Sequence, residues 1–137
     1  MAVQASQLTP LIQVYDMPEA ISFYCGTLGF ELVGSSPEIE APEGRYFHWA
    51  QLRLGGAHLM LNTAYDAGER PPERDRARWS GHRDTCLFFA CPDVDAAFGE
   101  LSEKGLDLRP PQRAPYGMKQ LYLRDPDGYE LCFQQPA

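Results

Sequence analysis

Basic residues are scarce in this chain. Twelve Lys and Arg stand against nineteen Asp and Glu, for a net charge of −7. A balance of that sign leaves no electrostatic footprint for nucleic acid or for an anionic lipid surface, so neither is expected as a partner. No apolar run approaches the ~20 residues that span a bilayer, so no membrane insertion is expected. Residues 1–7 lack both a basic start and an apolar core, so no export signal is read there and the expected location is the cytoplasm. The four cysteines, at 25, 86, 91 and 132, form no CxxC pair, which weakens zinc-ribbon and thioredoxin-type readings. Reduced thiols serving as small buried hydrophobes are expected instead.

What is present suits a folded domain. Of 137 residues, 44% are hydrophobic and 23% charged, which argues against disorder. Met17, Ala20, Ile21, Tyr24 and Leu28 recur at helical spacing behind Asp16 and ahead of Gly29, predicting a helix over 16–28. Val94, Ala97, Phe98 and Leu101, between Asp93 and Gly105, predict another over 93–104. Strands are predicted over 8–14, 31–34, 46–54, 57–62, 85–91, 106–109, 119–124 and 129–134. Gly55-Gly56 and Asp125-Pro126-Asp127-Gly128 read as hairpin turns. The resulting string is β-α-β-β-β, twice over, within a single domain over 1–137. Module one covers about 8–63 and module two about 84–135. The connector, about 64–83, carries Arg70, Arg74, Arg76, Arg78 and Arg83 together with Trp79. Two readings of it stay open: a solvated linker, or a loop or short helix anchored by Trp79 that closes over a site or meets a partner subunit.

Alternation assigns the faces. Leu59, Leu61, Leu87, Phe89, Leu131 and Phe133 belong under the helices. The opposite face then carries Thr9, Leu11 and Gln13, with His58, Met60 and Asn62. In the second module it carries Cys86, Phe88 and Ala90, with Glu130, Cys132 and Gln134. Such a mixture suits a semi-enclosed cup for a small molecule, or a partly wet face without one. Tyr46, Trp49, Tyr65, Trp79 and Tyr116 offer stacking surfaces or packing. His48 and His82 read as hydrogen-bonded rather than ligating.

The segment LIQVYDMPEAISFYCGTLGF, residues 11–30, resembles the opening motif of the vicinal oxygen chelate superfamily, which includes glyoxalase I, bleomycin-resistance and extradiol-dioxygenase proteins. LRDPDGYELCF, residues 123–133, resembles its closing hairpin. The resemblance implies an α+β fold: two βαβββ modules forming a curled mixed sheet around a shared cavity, often completed in a homodimer. In metal-dependent members one ligand sits on the first and fourth strand of each module. Carried onto this chain, those positions fall on Thr9, Met60, Cys86 and Cys132. None is imidazole or carboxylate, so no metal and no other cofactor is expected. A displaced site would draw on His58 and Glu130, two residues away on the same faces, together with the thiols of Cys86 and Cys132, and would suit zinc or copper.

The resemblance therefore points to a metal-independent small-molecule binding protein of the bleomycin-resistance or glyoxalase-like type. Its candidate ligand-binding residues are Gln13, His58, Met60, Asn62, Cys86, Phe88, Glu130 and Cys132. The net charge favours a cationic or neutral planar ligand. The alternative is a glyoxalase-like lyase, isomerase or dioxygenase with a non-standard or displaced metal site. For it the one catalytic candidate is Glu130, as a general base if it points into apolar surroundings.

Overall fold

The computed structural model describes residues 2–137, which fall into two compact units, one ending at Pro71 and the other beginning at Pro72. The first unit contains β1 (Leu11–Val14), α1 (Met17–Ile21), β2 (Glu31–Ser35), β3 (Ile39–Ala41), β4 (Gly44–Tyr46), β5 (Trp49–Leu54) and β6 (Ala57–Thr63). Its main sheet runs in the order β1-β6-β5-β2, with β1 parallel to β6 and the other pairs antiparallel. Ile12, Val14, Ala50, Leu52, Leu59 and Leu61 are all buried on one face, together with Met17, Ala20 and Tyr24 of the helical segment.

The first helix starts as its sequence dictates. The Asp16 carboxylate accepts from the Glu19 amide at 3.1 Å, and Pro18 sits in the first turn, where no N–H is required. Its second half differs from expectation. Ser22–Thr27 is π-helical, and Leu28 N–H donates to the Phe23 carbonyl five residues back. The wider turn carries Tyr24 into the core, where its ring meets those of Phe23 and Phe30 edge-on.

Two strand expectations in this unit are corrected. The first strand begins at Leu11 rather than at residue 8: Leu8 is solvent-exposed, and Pro10 cannot donate to a ladder. The stretch 46–54 is broken. Gly44–Tyr46 pairs with Ile39–Ala41 in a separate small hairpin, and the sheet strand begins only at Trp49. Tyr46 holds that hairpin down, with its buried ring and a hydroxyl that donates to Glu43. The Glu43 carboxylate also accepts from the Gly68 amide at 3.0 Å.

The second unit contains α2 (Arg76–Gly81), a 3-10 turn (His82–Asp84), β7 (Cys86–Ala90), α3 (Val94–Glu103), β8 (Gln112–Arg113), β9 (Met118–Arg124) and β10 (Glu130–Pro136). Its sheet order, β7-β10-β9-β8, reproduces that of the first unit strand for strand. The internal repeat read from the sequence is therefore a structural one, and the fold is mixed α+β with two four-stranded mixed sheets. Asp93 caps α3 by accepting from the Ala96 amide at 3.0 Å, and Val94 and Leu101 bury its apolar stripe. The strand expected over 106–109 does not form. Pro110 and Pro111 have no N–H to give a ladder, and pairing starts after them at Gln112.

Inside the expected connector, α2 docks on the β9–β10 turn. Trp79 Nε1 donates to the Pro126 carbonyl at 3.1 Å, and His82 Nδ1 donates to the Asp127 carbonyl at 2.6 Å. The His82 ring stacks on Tyr129 with centroids 3.9 Å apart. The turn itself is tied by Asp125, whose Oδ1 accepts from the amides of Asp127 and Tyr129, each at 2.9 Å. Gly128 lies directly beneath Trp79 at φ +88°. A Cβ there would stand 2.3 Å from the Trp79 carbonyl oxygen.

That contact yields a paired prediction. Gly105 has a similar φ of +95° but open space around it. Gly105→Ala should cost about 1–2 kcal/mol, the strain of the left-handed backbone alone. Gly128→Ala adds a backbone clash and should cost at least about 3 kcal/mol in urea unfolding. Equal costs for the two variants would show that α2 does not sit on the turn.

Candidate functional site

Each sheet buries one face and leaves the other to carry chemistry. In the first unit, register sets Leu11 beside Met60 and Gln13 beside Asn62. The antiparallel neighbour extends these rows to Gln51 and Trp49, and sets Arg53 beside His58. Gln13, His58, Met60 and Asn62 are all half-buried, so the four expected residues of this unit do share one face. Arg53 is engaged by Glu31 at 2.7 Å. The buried Nδ1 of His58 has no hydrogen-bond partner among the described residues. His48 Nδ1 and Thr63 Oγ1 are hydrogen-bonded at 2.6 Å. Thr9 precedes the first strand.

In the second unit the open face is built of three rungs. Cys86, Glu130 and Arg124 form the first; Phe88, Cys132 and Tyr122 the second; Ala90, Gln134 and Gln120 the third. The four expected residues here, Cys86, Phe88, Glu130 and Cys132, thus occupy adjacent positions. Glu130 is not isolated among apolar groups: Arg124 Nη2 lies 3.8 Å from its carboxylate. Cys132 is fully buried even though it lies on this face, flanked by the Phe88 and Tyr122 rings, which meet edge-on at 6.3 Å. Those two rings remain 52% and 41% exposed, which leaves their outer surfaces available for stacking.

The thiols of this face are held protonated. Burial, followed by the negative charge of Glu130 and a hydrogen bond to it, pushes the Cys86 thiol up to about 12. Burial also raises Cys132, against an opposing hydrogen bond from Tyr122. The Tyr122 hydroxyl is itself raised, first by burial and then by Cys132. A nucleophile must be a thiolate, so neither cysteine is prepared for that role at neutral pH.

Beside the third rung opens a cleft of about 360 Å³, lined in part by Arg109, Gln112, Arg113, Tyr116, Gln120 and Tyr122. Gln120, almost fully buried, organises it. Its Nε2 donates to the Tyr116 hydroxyl oxygen at 2.6 Å and to the side-chain Oε1 of Gln134 at 3.0 Å, while its own Oε1 accepts from the Tyr122 hydroxyl at 3.3 Å. The sequence reading missed Gln120 and Tyr122. The signal was there, because both alternate with Leu121 and Leu123, which fill the core.

The four positions where metal-dependent relatives place ligands hold a hydroxyl, a thioether and two protonated thiols. Among the described residues no group of three or more His, Cys, Asp or Glu side chains lies together in a way that could hold a metal ion. The donor set does not fit an oxygen-chelating divalent cation.

Comparison with known proteins agrees with this architecture. The family model described as "Glyoxalase/Bleomycin resistance protein/Dioxygenase superfamily" matches residues 6–133. Among solved structures, TnmS3, an antibiotic binding protein from Streptomyces sp. CB03234, is 28% identical at a TM-score of 0.65, covering 98% of this chain and 100% of that one. A superfamily member from Sphaerobacter thermophilus is 25% identical at a TM-score of 0.66, covering 96% and 97%. The bleomycin resistance determinant encoded on transposon Tn5 shares the fold at 20% identity and a TM-score of 0.69, covering 96% and 98%. No curated protein matches the chain.

The buried thiol has a pH signature. In the unfolded chain Cys86 ionises near its ordinary 9.0; in the folded chain it does so near 12. A raised pKa favours the folded state fully below about pH 9, and that advantage is lost as pH rises toward about 12. Wild-type stability should therefore fall more steeply than that of Cys86→Ala between about pH 9 and about pH 11, measured by denaturant unfolding. Parallel slopes would place Cys86 in water.

Proposed function

Because the chain belongs to the glyoxalase/bleomycin resistance protein/dioxygenase superfamily, we propose that it binds a planar aromatic small molecule, without a metal ion and without turnover. The observation that carries this reading is the exposed Phe88–Tyr122 pair over the buried Cys132, beside a cleft ordered by Gln120. Large apolar rings left uncovered on a sheet face are a stacking platform. An antibiotic binding protein of similar sequence over nearly the whole length supports a ligand of natural-product type.

The proposed binding residues are Gln13, His58, Met60 and Asn62 on the open face of the first unit, and Cys86, Phe88, Glu130 and Cys132 on that of the second, joined there by Tyr122. Amide, thioether and aromatic groups of this sort orient a neutral framework through a few polar contacts and much apolar surface. Metal independence is supported by the donor set at residues 9, 60, 86 and 132. Glu130 serves as a polar neighbour of the ligand rather than as a base, since Arg124 stands opposite it.

We extend the reading to a homodimer in the cytoplasm. Support for the dimer comes from the edge strand β2, where Leu32 and Val33 are 43% and 41% exposed. Four free cysteines suit a reducing compartment. Among the described residues no helix is long and apolar enough to cross a membrane.

Two measurements test the proposal. A panel of polycyclic aromatic antibiotics should contain compounds that raise the melting temperature by several degrees; a ligand at about a hundred times its Kd stabilises by about 2.7 kcal/mol. Phe88→Ala should weaken such a compound about tenfold, the loss of one stacking partner. A panel without a single stabilising compound overturns the binding reading. Separately, protein purified without chelators should carry well under one metal ion per chain by elemental analysis. Stoichiometric metal would favour the enzyme alternative.

A further inference from the structure

The cleft beside Gln120 carries a local charge opposite to that of the chain. We propose that it takes a planar aromatic acid, with the rings against Tyr116 and Tyr122 and the carboxylate held by Arg109 and the Tyr116 hydroxyl. This deepens the binding reading and rests on it.

The argument begins with what lines the cleft. Arg109 and Arg113 are among its lining residues and no Asp or Glu is, in a chain with nineteen of them. Arg113 pairs with Lys119, so strand alternation turns its side chain away from the Gln120 face and leaves Arg109 as the cation of the cleft. The basic residues nearest in the sheet and turn are already engaged: Lys119 by Asp95, Arg124 by Glu130 and Arg74 by Asp127. Among the described residues neither Arg109 nor Arg113 has an ion-pair partner. Arginine matches a carboxylate with a planar fork of donors, and a walled cleft screens that pairing less than open solvent does.

The neutral groups point the same way. Both Nε2 hydrogens of Gln120 are committed, to Tyr116 and to Gln134, and its carbonyl is taken by Tyr122. Gln120 is thus a positioning residue, which sets the two tyrosine rings rather than reading the ligand. Since the Tyr116 oxygen accepts from Gln120, its own hydrogen is free to donate to an acceptor. The cleft therefore presents donors, from Tyr116 and Arg109, against aromatic walls. Its rim is held by backbone hydrogen bonds across the 114–118 turn, Ala114 N–H to the Met118 carbonyl at 2.7 Å and Gly117 N–H to the Ala114 carbonyl at 3.2 Å. Net charge taken alone points toward a cationic ligand; the local lining reverses that preference.

The test compares two probes of the same shape, anthracene-2-carboxylate and anthracene-2-carboxamide, with the full chain by fluorescence titration. The acid should bind at least about tenfold more tightly than the amide, and its affinity should fall with added salt. Arg109→Gln changes an exposed side chain and should erase the preference. Arg113→Gln, whose side chain lies on the opposite face beside Lys119, should leave the preference intact. Equal binding of the two probes, or a preference that survives Arg109→Gln, overturns this inference and leaves the binding reading standing. If neither probe binds, this inference falls; the antibiotic panel then decides separately whether the binding reading falls with it.

Discussion

Parallel pairing between the first and fourth strands decides which side chains meet on the open face of each sheet. It sets Gln13 beside Asn62 in one unit and Phe88 beside Cys132 in the other. A one-residue slip would exchange every side chain between faces, turning amides and thiols inward and Leu59, Leu61 and Leu131 outward. Each such aliphatic side chain is worth about 1.5–3 kcal/mol when buried, so the apolar face enforces the register and the polar face inherits it. The site is in this sense a by-product of the core.

Much of this was legible in the sequence because the alternation is strict where one face is buried. Leu59 and Leu61, or Leu131 and Phe133, could hardly be placed elsewhere, and the repeat of strand order followed from helices marked by Asp16 and Asp93 at their starts. What was not legible depended on contacts distant in sequence. The π-helical turn at Ser22–Thr27 is tied to the burial of Tyr24 between Phe23 and Phe30, which no local pattern announces. The break after Tyr46 depends on Glu43 reaching Gly68, twenty-five residues on. On the site, Gln120 and Tyr122 lie on the third strand of their module, outside the first and fourth strands to which the family resemblance points, and no motif marks them. The third strand contributes as much here.

The electrostatics of the second sheet run along its length. At one end Arg124, Glu130 and Cys86 stand side by side, and the thiol keeps its proton next to the carboxylate. In the middle the surface is aromatic and sulphur-rich. At the other end lie amides, a phenol and Arg109, which has no ion-pair partner among the described residues. A chain with net charge −7 can in this way present a locally positive recess, because the acidic residues that set the total lie elsewhere.

Helix α2 grips the β9–β10 turn through main-chain carbonyls: those of Pro126 and Asp127 receive the indole and imidazole protons. Recognition of that type reads a backbone shape and not a set of side chains. Evolutionary drift at 126 is therefore tolerable so long as the loop keeps its contour, whereas 127 also keeps a buried carboxylate beside Arg74 and 128 must remain bare. Related chains that carry any larger residue at that place should have a shortened, displaced or missing counterpart of the Trp79 helix.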